Sequence, residues 1–367
     1  MQKKQNHLTA LSFVVDGRGD LTKKFFDPTK IGSLASARLQ LMPALRSAME
    51  LDYSVQILSL HSSHYQDFIN IKQSKICLIG KMSANTEDLL LNMTVANLAA
   101  VTRLKSKGAT VVLQHSDNTF YGNTSLKGFY KDLMQLVDCI VYPSKSLCEI
   151  TQPFVRKGAK QAIIPDPWQL LKSHKPRELN GGQTIKLIWF GSNKNITYLV
   201  NNFRQLLEKA NGDHFYELTI LCNDWAVKEF KRGIRGVKSP HKNWTIRAVR
   251  WKIDAQPQQL ETEISRAHIA IIPSNPLDPL KAGVSHNRIV DAIRGGCITI
   301  ASPMQSYQEL SSIALLNENI CEALNEAVAN YSTYSQKICT EREALLEQFD
   351  PINNHANWLH FWERVAR

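Results

Sequence analysis

Two basic side chains flank the start of a predicted helix in the C-terminal half of the chain. Residues 269–303 are predicted to form a strand, a loop, a helix, a Gly-Gly turn and a second strand, as in a parallel sheet. Lys281 lies in the loop, Ser285 is predicted to cap the helix, and Asn287 and Arg288 follow in its first turn. Because a helix N-terminus carries free N–H groups and partial positive charge, we predict an anion site here, above all for a diphosphate.

A glycine turn and a carboxylate are further candidates for the same site. Gly191, Ser192 and Asn193 follow a predicted strand, and a glycine lets the backbone approach a phosphate closely because it has no Cβ. A plain turn between strand and helix is the alternative interpretation. Asp291 follows Asn287 by one helical turn. It could bond a ribose or sugar hydroxyl, or it could be an ordinary capping or surface residue of the helix.

Two titratable residues are candidates for proton transfer in the N-terminal half. His115 and Asp117 follow the predicted strand 110–113, at the end where parallel sheets bind ligands. Either could accept a proton from a hydroxyl group, and we favour Asp117 because a carboxylate is ionised at pH 7 without any pKa shift. Alternatively, His115 is a loop histidine with a purely structural role, and Asp117 only stabilises a turn.

Short apolar runs alternate with segments of helical period, which predicts parallel sheets flanked by helices. The predicted strands are 8–15, 55–60, 76–79, 110–113, 139–142, 162–164, 185–190, 218–222, 244–249, 269–272 and 298–301, and the predicted helices are 33–50, 87–107, 125–136 and 195–210. We therefore predict an α/β protein with two Rossmann-like domains that face each other across a cleft.

The boundaries of these domains follow from a polar segment without hydrophobic period and from an aromatic-rich tail. We predict an N-terminal domain over residues 1–172, a linker over 173–184 and a C-terminal domain over 185–348. Residues 349–367 are predicted to form a C-terminal helix that packs back on the N-terminal domain.

Charge is concentrated in one stretch of the second half. Residues 228–252 hold nine basic residues and one acidic residue, so this stretch carries +8 of the formal net charge of +11. A solvated surface is the default interpretation, and contact with an anionic membrane surface is the alternative. Nucleic acid is not expected as a partner, because no recognised binding motif accompanies the charge.

Cysteine usage and hydropathy bear on the cellular setting. The chain has seven cysteines, an odd number without a CxxC pair, and no apolar run long enough to span a bilayer. We expect a reducing, cytoplasmic environment, with peripheral contact to the inner face of the membrane as an extension. No cluster of histidines or cysteines has the spacing of a zinc site, so no metal is expected.

Several segments resemble the nucleotide-sugar glycosyltransferases of the GT-B fold. They are IKLIWFGSNKN (185–195), SHNRIVDAIRGGCITIAS (285–302), IIPDPW (163–168), VVLQHSDN (111–118) and GSLASARLQ (32–40). The resemblance implies transfer of a sugar from a nucleotide-sugar to a glycan or lipid-linked acceptor, as in polysaccharide biosynthesis. No Asp-x-Asp motif stands at the end of a predicted strand, so we expect catalysis without a divalent ion and without a cofactor, the nucleotide-sugar being a co-substrate.

The resemblance assigns roles to single residues. It places Gly32, Ser33 and Arg38 on the acceptor or phosphate side. Many retaining members of the family carry two acidic residues about two helical turns apart, and here Asp291 matches the second while Gly283 stands at the first. Both a retaining and an inverting reaction therefore stay open.

Two other functions share this architecture. One is a sugar-nucleotide epimerase or a phosphorylase-like enzyme, because a fold does not fix a function. The other is a non-catalytic protein that keeps the fold for binding, an alternative that the missing first acidic residue supports.

Overall fold

Alternating strands and helices build two separate parallel sheets, as the sequence predicts. The computed structural model describes residues 6–11, 18–27, 35–63, 65–84, 86–122, 124–210, 213–235, 243–252 and 257–366. The chain divides into two units. Unit 1 holds Met1–Pro167, Ala282–Ser285 and Asp350–Arg367, and unit 2 holds Trp168–Lys281 and His286–Phe349. The domain boundaries drawn from the sequence stay predictions.

Unit 1 contains a seven-stranded sheet in the order β2-β3-β1-β4-β5-β6-β7. All neighbouring strands run parallel except β2, which pairs antiparallel with β3 at the edge. The strands are β1 His7–Leu11, β2 Gly19–Asp20, β3 Ser54–Ser59, β4 Ile76–Ile79, β5 Thr110–Gln114, β6 Cys139–Tyr142 and β7 Lys160–Ile163.

Six helices connect these strands. They are α1 Thr22–Phe25, α2 Met42–Glu50, α3 Tyr65–Ile69, α4 Glu87–Ser106, α5 Thr124–Leu136 and α6 Lys145–Thr151. A π-helical turn, Ala37–Leu41, leads directly into α2. Successive strand residues belong to different hydrophobic clusters: Leu78 packs in one, whereas Cys77 and Ile79 pack in the other. The sheet is therefore covered on both faces, as expected for parallel strands.

Unit 2 contains a six-stranded parallel sheet in the order β10-β9-β8-β11-β12-β13. The strands are β8 Ile185–Phe190, β9 Tyr216–Cys222, β10 Trp244–Arg250, β11 Ile269–Ile272, β12 Ile298–Ala301 and β13 Ala314–Leu316. The helices are α7 Ile196–Lys209, α8 Asp224–Gly233, α9 Gln258–Ile264, α10 Asn287–Arg294, α11 Ile320–Ala329 and α12 Tyr331–Leu346.

The last helix, α13 (Pro351–Ala366), belongs to unit 1 and packs on α2. Trp358 and Trp362 are buried in the hydrophobic cluster of that unit. The indole N–H of Trp362 donates to the carbonyl of Ala44 over 2.8 Å. The predicted return of the C-terminal helix to the N-terminal domain is thus confirmed.

The predicted elements agree with the structure where the hydrophobic pattern is strong. Five strands have the predicted bounds, namely β4, β6, β8, β11 and β12. The strand predicted over 8–15 is seen as β1, and residues 12–17 lie outside the described part of the chain. The short strands β2 and β13 were not predicted, because two or three residues are too few to show a period.

Candidate functional site

The predicted anion site lies at the point where the strand order of unit 2 reverses direction. β8 and β11 are neighbours in the sheet, and the chain continues from them toward opposite edges. Ligands of open α/β sheets bind beyond the carboxyl ends of the strands at such a point. Gly191 follows β8, and Arg288 lies in the first turn of α10, the helix between β11 and β12.

Arg288 contacts the glycine turn after β8. A Cβ built on Gly191 would lie 3.4 Å from Nη1 of Arg288, so the guanidinium packs closely against the glycine turn. Nη1 is buried and has no hydrogen-bond partner among the described residues. Because a buried N–H of a guanidinium is costly to leave unpaired, this nitrogen is a strong candidate for binding an anionic ligand.

Lys281 reaches the same turn from a different loop. It ends the 3-10 turn Pro279–Lys281, and its Nζ donates to the side-chain oxygen of Asn195 over 2.8 Å. The ammonium also lies over the ring of Tyr198, 5.5 Å from its centroid. Asn195 directly precedes α7. Lys281 from a loop and Arg288 from the first turn of α10 therefore both lie next to the turn between β8 and α7.

The start of α10 differs from the prediction. The helix begins at Asn287 with His286 as its N-cap residue, and no side chain caps it. Ser285 belongs to unit 1, where its hydroxyl donates to Asp166 over 2.6 Å. The predicted capping role of Ser285 is therefore wrong, because the carboxylate of Asp166 binds its hydroxyl.

Asp291 is fully buried rather than on the helix surface. Its two oxygens accept hydrogen bonds from the backbone N–H of Gln169 (2.7 Å) and from the amide of that side chain (2.8 Å). A ribose or sugar hydroxyl would have to displace these bonds. The carboxylate thus anchors the segment that begins unit 2, and the predicted ligand contact of Asp291 stays a prediction.

The other predicted donor-site residues are chain neighbours of Gly191 or of Arg288. Ser192 is exposed, and Asn193 begins the 3-10 turn Asn193–Asn195, although its side chain lies outside the described part. Asn287 is the first residue of α10. Their roles stay predictions.

In unit 1, Asp117 forms an ion pair with a lysine that the sequence analysis did not single out. Nζ of Lys81 lies 2.5 Å from Oδ2 of Asp117, and both side chains are more than one-third exposed. Lys81 follows β4 and Asp117 follows β5, so both stand at the carboxyl edge of the sheet. The carboxylate of Asp117 raises the pKa of Lys81, against the opposing effect of burial.

His115 lies among aromatic side chains instead of at the surface. Its ring is 1 % exposed and packs against Phe120, Tyr130 and Tyr142. Burial lowers the pKa of His115 to about 4, an effect that the charge of Asp117 only partly opposes. The imidazole is therefore neutral at pH 7. The ring is enclosed, and both of its nitrogens are buried without a hydrogen-bond partner among the described residues; the role of His115 as a base stays a prediction.

A buried polar network surrounds Asp166, three residues beyond the end of β7. Gln40 donates to Asp166 over 3.2 Å and accepts a hydrogen bond from Ser116 over 2.5 Å. Asp166 is only 4 % exposed. Arg38 lies in the π-helical turn that also carries Gln40. Gly32 and Ser33, the other residues predicted for the acceptor side, lie outside the described residues.

Lys81 and Asp166 were not predicted from the sequence as site residues. Both follow strands of a parallel sheet, so the rule that singled out Asp117 also applies to them.

Within the described residues, no group of three or more His, Cys, Asp or Glu residues is arranged to hold a metal ion. No described helix is both long and apolar enough to cross a membrane. The seven cysteines are free thiols.

The basic stretch presents an exposed surface on α8 and at the end of β10. Lys228, Lys231, Arg232 and Arg235 are exposed, and the indole of Trp225 on the same helix is 53 % exposed. Lys238 and Lys242 lie outside the described residues.

Comparison with solved structures decides the fold. Sucrose-phosphate synthase of Thermosynechococcus elongatus superposes with a TM-score of 0.68 over 98 % of this chain and 99 % of that one, at 11 % identity. The chain has the GT-B fold. HepE of Anabaena, solved in complex with UDP and glucose, gives a TM-score of 0.62 at 11 % identity over 98 % of this chain and all of HepE.

A further GT-B structure supports the same fold. A glycosyltransferase of Rickettsia africae superposes with a TM-score of 0.58 at 12 % identity, and each chain is covered completely. No protein-family model matches the sequence, and no curated protein matches it significantly. The GT-B fold is therefore shown by the structure, at identities too low to carry over the activity of any one neighbour.

Proposed function

We propose that the protein is a glycosyltransferase that moves a sugar from a nucleoside-diphosphate sugar to a glycan or lipid-linked acceptor. One observation carries the proposal: the buried, unpartnered Nη1 of Arg288 faces the turn at Gly191, and Lys281 reaches Asn195 at the end of that turn. HepE was solved with UDP and glucose, which supports a nucleotide-sugar as the donor class.

The cations would act on the leaving group. When the bond between sugar and phosphate breaks, negative charge grows on the terminal phosphate of the departing nucleoside diphosphate. A guanidinium and an ammonium held there stabilise this charge more in the transition state than in the ground state. Arg288 can engage two phosphate oxygens through its planar fork, whereas Lys281 acts as a point charge.

Two helix N-termini would add to this positive potential. α7 and α10 begin at Ile196 and Asn287, next to the two ends of the predicted phosphate site. Their free N–H groups and dipoles favour an anion. Protein cations and dipoles would thus provide the charge that a divalent ion provides in other transferases, and we propose a metal-independent reaction.

Asp117 is the proposed base for the acceptor hydroxyl. Its side chain is 40 % exposed and is ion-paired with Lys81, which is 36 % exposed. The pair holds the carboxylate at the carboxyl edge of the sheet in unit 1, the position expected for a group that meets a substrate. Gln40 and Asp166 lie at the same edge, in a buried hydrogen-bond network with Ser116 and Ser285.

An anionic membrane surface is the proposed location of the acceptor. On α8, Trp225, Lys228 and Arg232 recur at helical spacing and so lie on one side of the helix. Basic side chains near anionic lipids are attracted by about 1 kcal/mol each, and tryptophan is favoured at the membrane–water interface. A lipid-linked acceptor would be presented at such a surface.

Turnover measurements separate this proposal from its rivals. The purified protein is incubated with UDP-, GDP-, ADP- and dTDP-sugars, with and without inorganic phosphate and lipid-linked or glycan acceptors, and the products are resolved by chromatography and mass spectrometry. The proposal predicts release of nucleoside diphosphate that depends on Arg288. An isomerised donor without acceptor would instead indicate an epimerase, and a sugar phosphate a phosphorylase. Binding of donors without any turnover would indicate a non-catalytic protein.

A further inference from the structure

A polar cavity lies at the carboxyl edge of the sheet in unit 2. Its volume is about 300 Å³. It is lined by residues of α7 and by residues of the segments that follow β11, β12 and β13, all of which belong to unit 2. We propose that this cavity binds a neutral sugar ring, as a site additional to the one proposed for the diphosphate.

The position of the cavity favours a ligand site. Ser274 follows β11, Ser302 follows β12 and Glu318 follows β13, and all three line the cavity. Open α/β sheets bind ligands beyond these strand ends. On the side of α7 the cavity is lined by Tyr198, whose ring centroid lies 5.5 Å from Nζ of Lys281. The cavity and this cation of the proposed diphosphate site therefore share the aromatic ring as a neighbour.

The cavity carries no positive charge that would attract a phosphate. Among the described residues that line it, none is basic, and Glu318 is the one charged side chain. The carboxylate of Glu318 would repel an anion. A neutral ligand that donates hydrogen bonds is therefore favoured over a phosphate or a carboxylate.

Donors and acceptors are both available in the cavity. Asn201 and Glu318 are exposed, and their side chains make no hydrogen bond with another described residue. Asn202 uses its amide N–H to bond the carbonyl of Tyr198 over 2.8 Å, which leaves its amide oxygen as an acceptor. A sugar hydroxyl both donates and accepts a hydrogen bond, so a ring with several hydroxyls matches this mixed set of amide and carboxylate groups.

Hydrogen bonds of the loop after β11 hold the wall of the cavity in place. The hydroxyl of Ser302 accepts from the backbone N–H of Ser274 over 2.9 Å and donates to the carbonyl of the same residue over 3.0 Å. The side-chain oxygen of Asn275 accepts from the backbone N–H of Leu277 over 3.0 Å. A wall that is ordered in advance loses little entropy when a ligand binds, which favours binding of a small molecule.

Size and apolar contacts also fit a single sugar ring. Ligand pockets span roughly 300–1,000 Å³, so this cavity is at the lower limit. Leu277 is 89 % exposed and lines the cavity together with Pro276. Their apolar surface would pack against the C–H groups of a sugar ring, which removes both surfaces from water. The cavity thus offers apolar contact next to hydrogen-bonding groups, as a sugar ring requires.

Saturation-transfer difference NMR tests this inference with wild-type protein and short oligosaccharides of glucose, galactose, mannose and N-acetylglucosamine. We expect saturation transfer to the ring protons of at least one of these saccharides. Asn201→Trp should abolish the transfer, because it places a large side chain in the wall of the cavity. The double variant Asn201→Ala, Glu318→Ala should raise the dissociation constant of the saccharide about tenfold, the effect of losing one or two hydrogen bonds.

The matched control is the double variant Asn180→Ala, Glu208→Ala. It removes one exposed amide and one exposed carboxylate of unit 2 that do not line the cavity. The control should bind the saccharide as wild type does, and circular dichroism verifies that each variant is folded. Absence of transfer from wild-type protein to every saccharide of the panel would overturn the sugar site, as would equal transfer from wild type and Asn201→Trp.

Competition identifies which sugar enters the cavity. Displacement of the saccharide by a nucleotide-sugar, but not by its nucleoside diphosphate, would assign the sugar of the donor to the cavity. Retention of the saccharide in the presence of both would assign a sugar of the acceptor glycan, and either result supports the sugar site. Displacement by the nucleoside diphosphate itself would show that a nucleoside occupies the cavity and would overturn the inference. Failure of every nucleoside diphosphate to bind the protein would instead overturn the proposed function and leave the sugar site intact.

Discussion

The guanidinium of Arg288 packs against Gly191, where a Cβ would lie 3.4 Å from Nη1. The residue after β8 and the second residue of α10 are separated by almost a hundred positions in the chain. Their approach at the reversal point of the sheet creates the predicted phosphate site.

Adding a methyl group at Gly191 should obstruct that site. We expect Gly191→Ala to weaken binding of a nucleoside diphosphate about fivefold, roughly 1 kcal/mol, and Gly191→Val to weaken it more. Titration calorimetry measures both affinities. Gly128→Ala in α5 is the control, since a Cβ there has nothing within 4 Å. An unchanged affinity in Gly191→Val would contradict the close approach of ligand and turn.

Replacing Asp117 should affect the chemical step more than donor binding. We expect Asp117→Asn to lower kcat by about a hundredfold or more, the usual effect of losing a general base. The affinity for nucleoside diphosphate should remain, because Asp117 belongs to unit 1 and the cations belong to unit 2. Steady-state kinetics with saturating donor gives the comparison, with the exposed Asp132→Asn as control. Full activity of Asp117→Asn would exclude it as the base.

The enclosed His115 should make the fold sensitive to mild acid. Its pKa is about 4 in the folded protein and about 6.5 in an unfolded chain, so the unfolded state binds more protons between these values. The contribution of the neutral imidazole to the free energy of unfolding is complete above about pH 6.5 and is lost as the pH falls toward 4. The loss between pH 7 and pH 5 is about 2 kcal/mol.

Urea unfolding at pH 7 and pH 5 checks this effect. His115→Phe should lose about 2 kcal/mol less stability than wild type over that interval. His360→Phe, at an exposed position of α13, should behave as wild type. If the free energy of unfolding depends on pH in the same way in His115→Phe and in wild type, the imidazole is not held neutral. If a phenylalanine does not fit at this position, His115→Gln gives the same comparison.

The sequence predicted the fold well because buried strands have a strong local signal. Both sheets and the return of α13 follow from apolar runs and from the topology of parallel sheets. Side-chain partners were less predictable. The hydrogen bonds that occupy Ser285 and Asp291 involve residues more than a hundred positions away, and no local pattern reports them.

The exposed basic surface of α8 should bind anionic lipids. We expect wild-type protein to co-sediment at low salt with vesicles of phosphatidylglycerol and phosphatidylcholine. The triple variant Lys228→Ala, Lys231→Ala, Arg232→Ala should bind about a hundredfold more weakly, at about 1 kcal/mol for each charge. The control removes three exposed lysines of unit 1, Lys145, Lys157 and Lys160. Equal sedimentation of both variants would contradict a specific surface on α8.

Calorimetric titration of Arg288→Ala and Lys281→Ala with the best-bound nucleoside diphosphate tests the central claim most directly. Each substitution should weaken binding by about 1.5–3 kcal/mol, the range for hydrogen bonds to charged groups. Arg266→Ala, which removes an exposed arginine of the same unit, should bind as wild type does. If both site variants bind with wild-type affinity, the diphosphate is not held by these cations and the proposed transferase site is wrong.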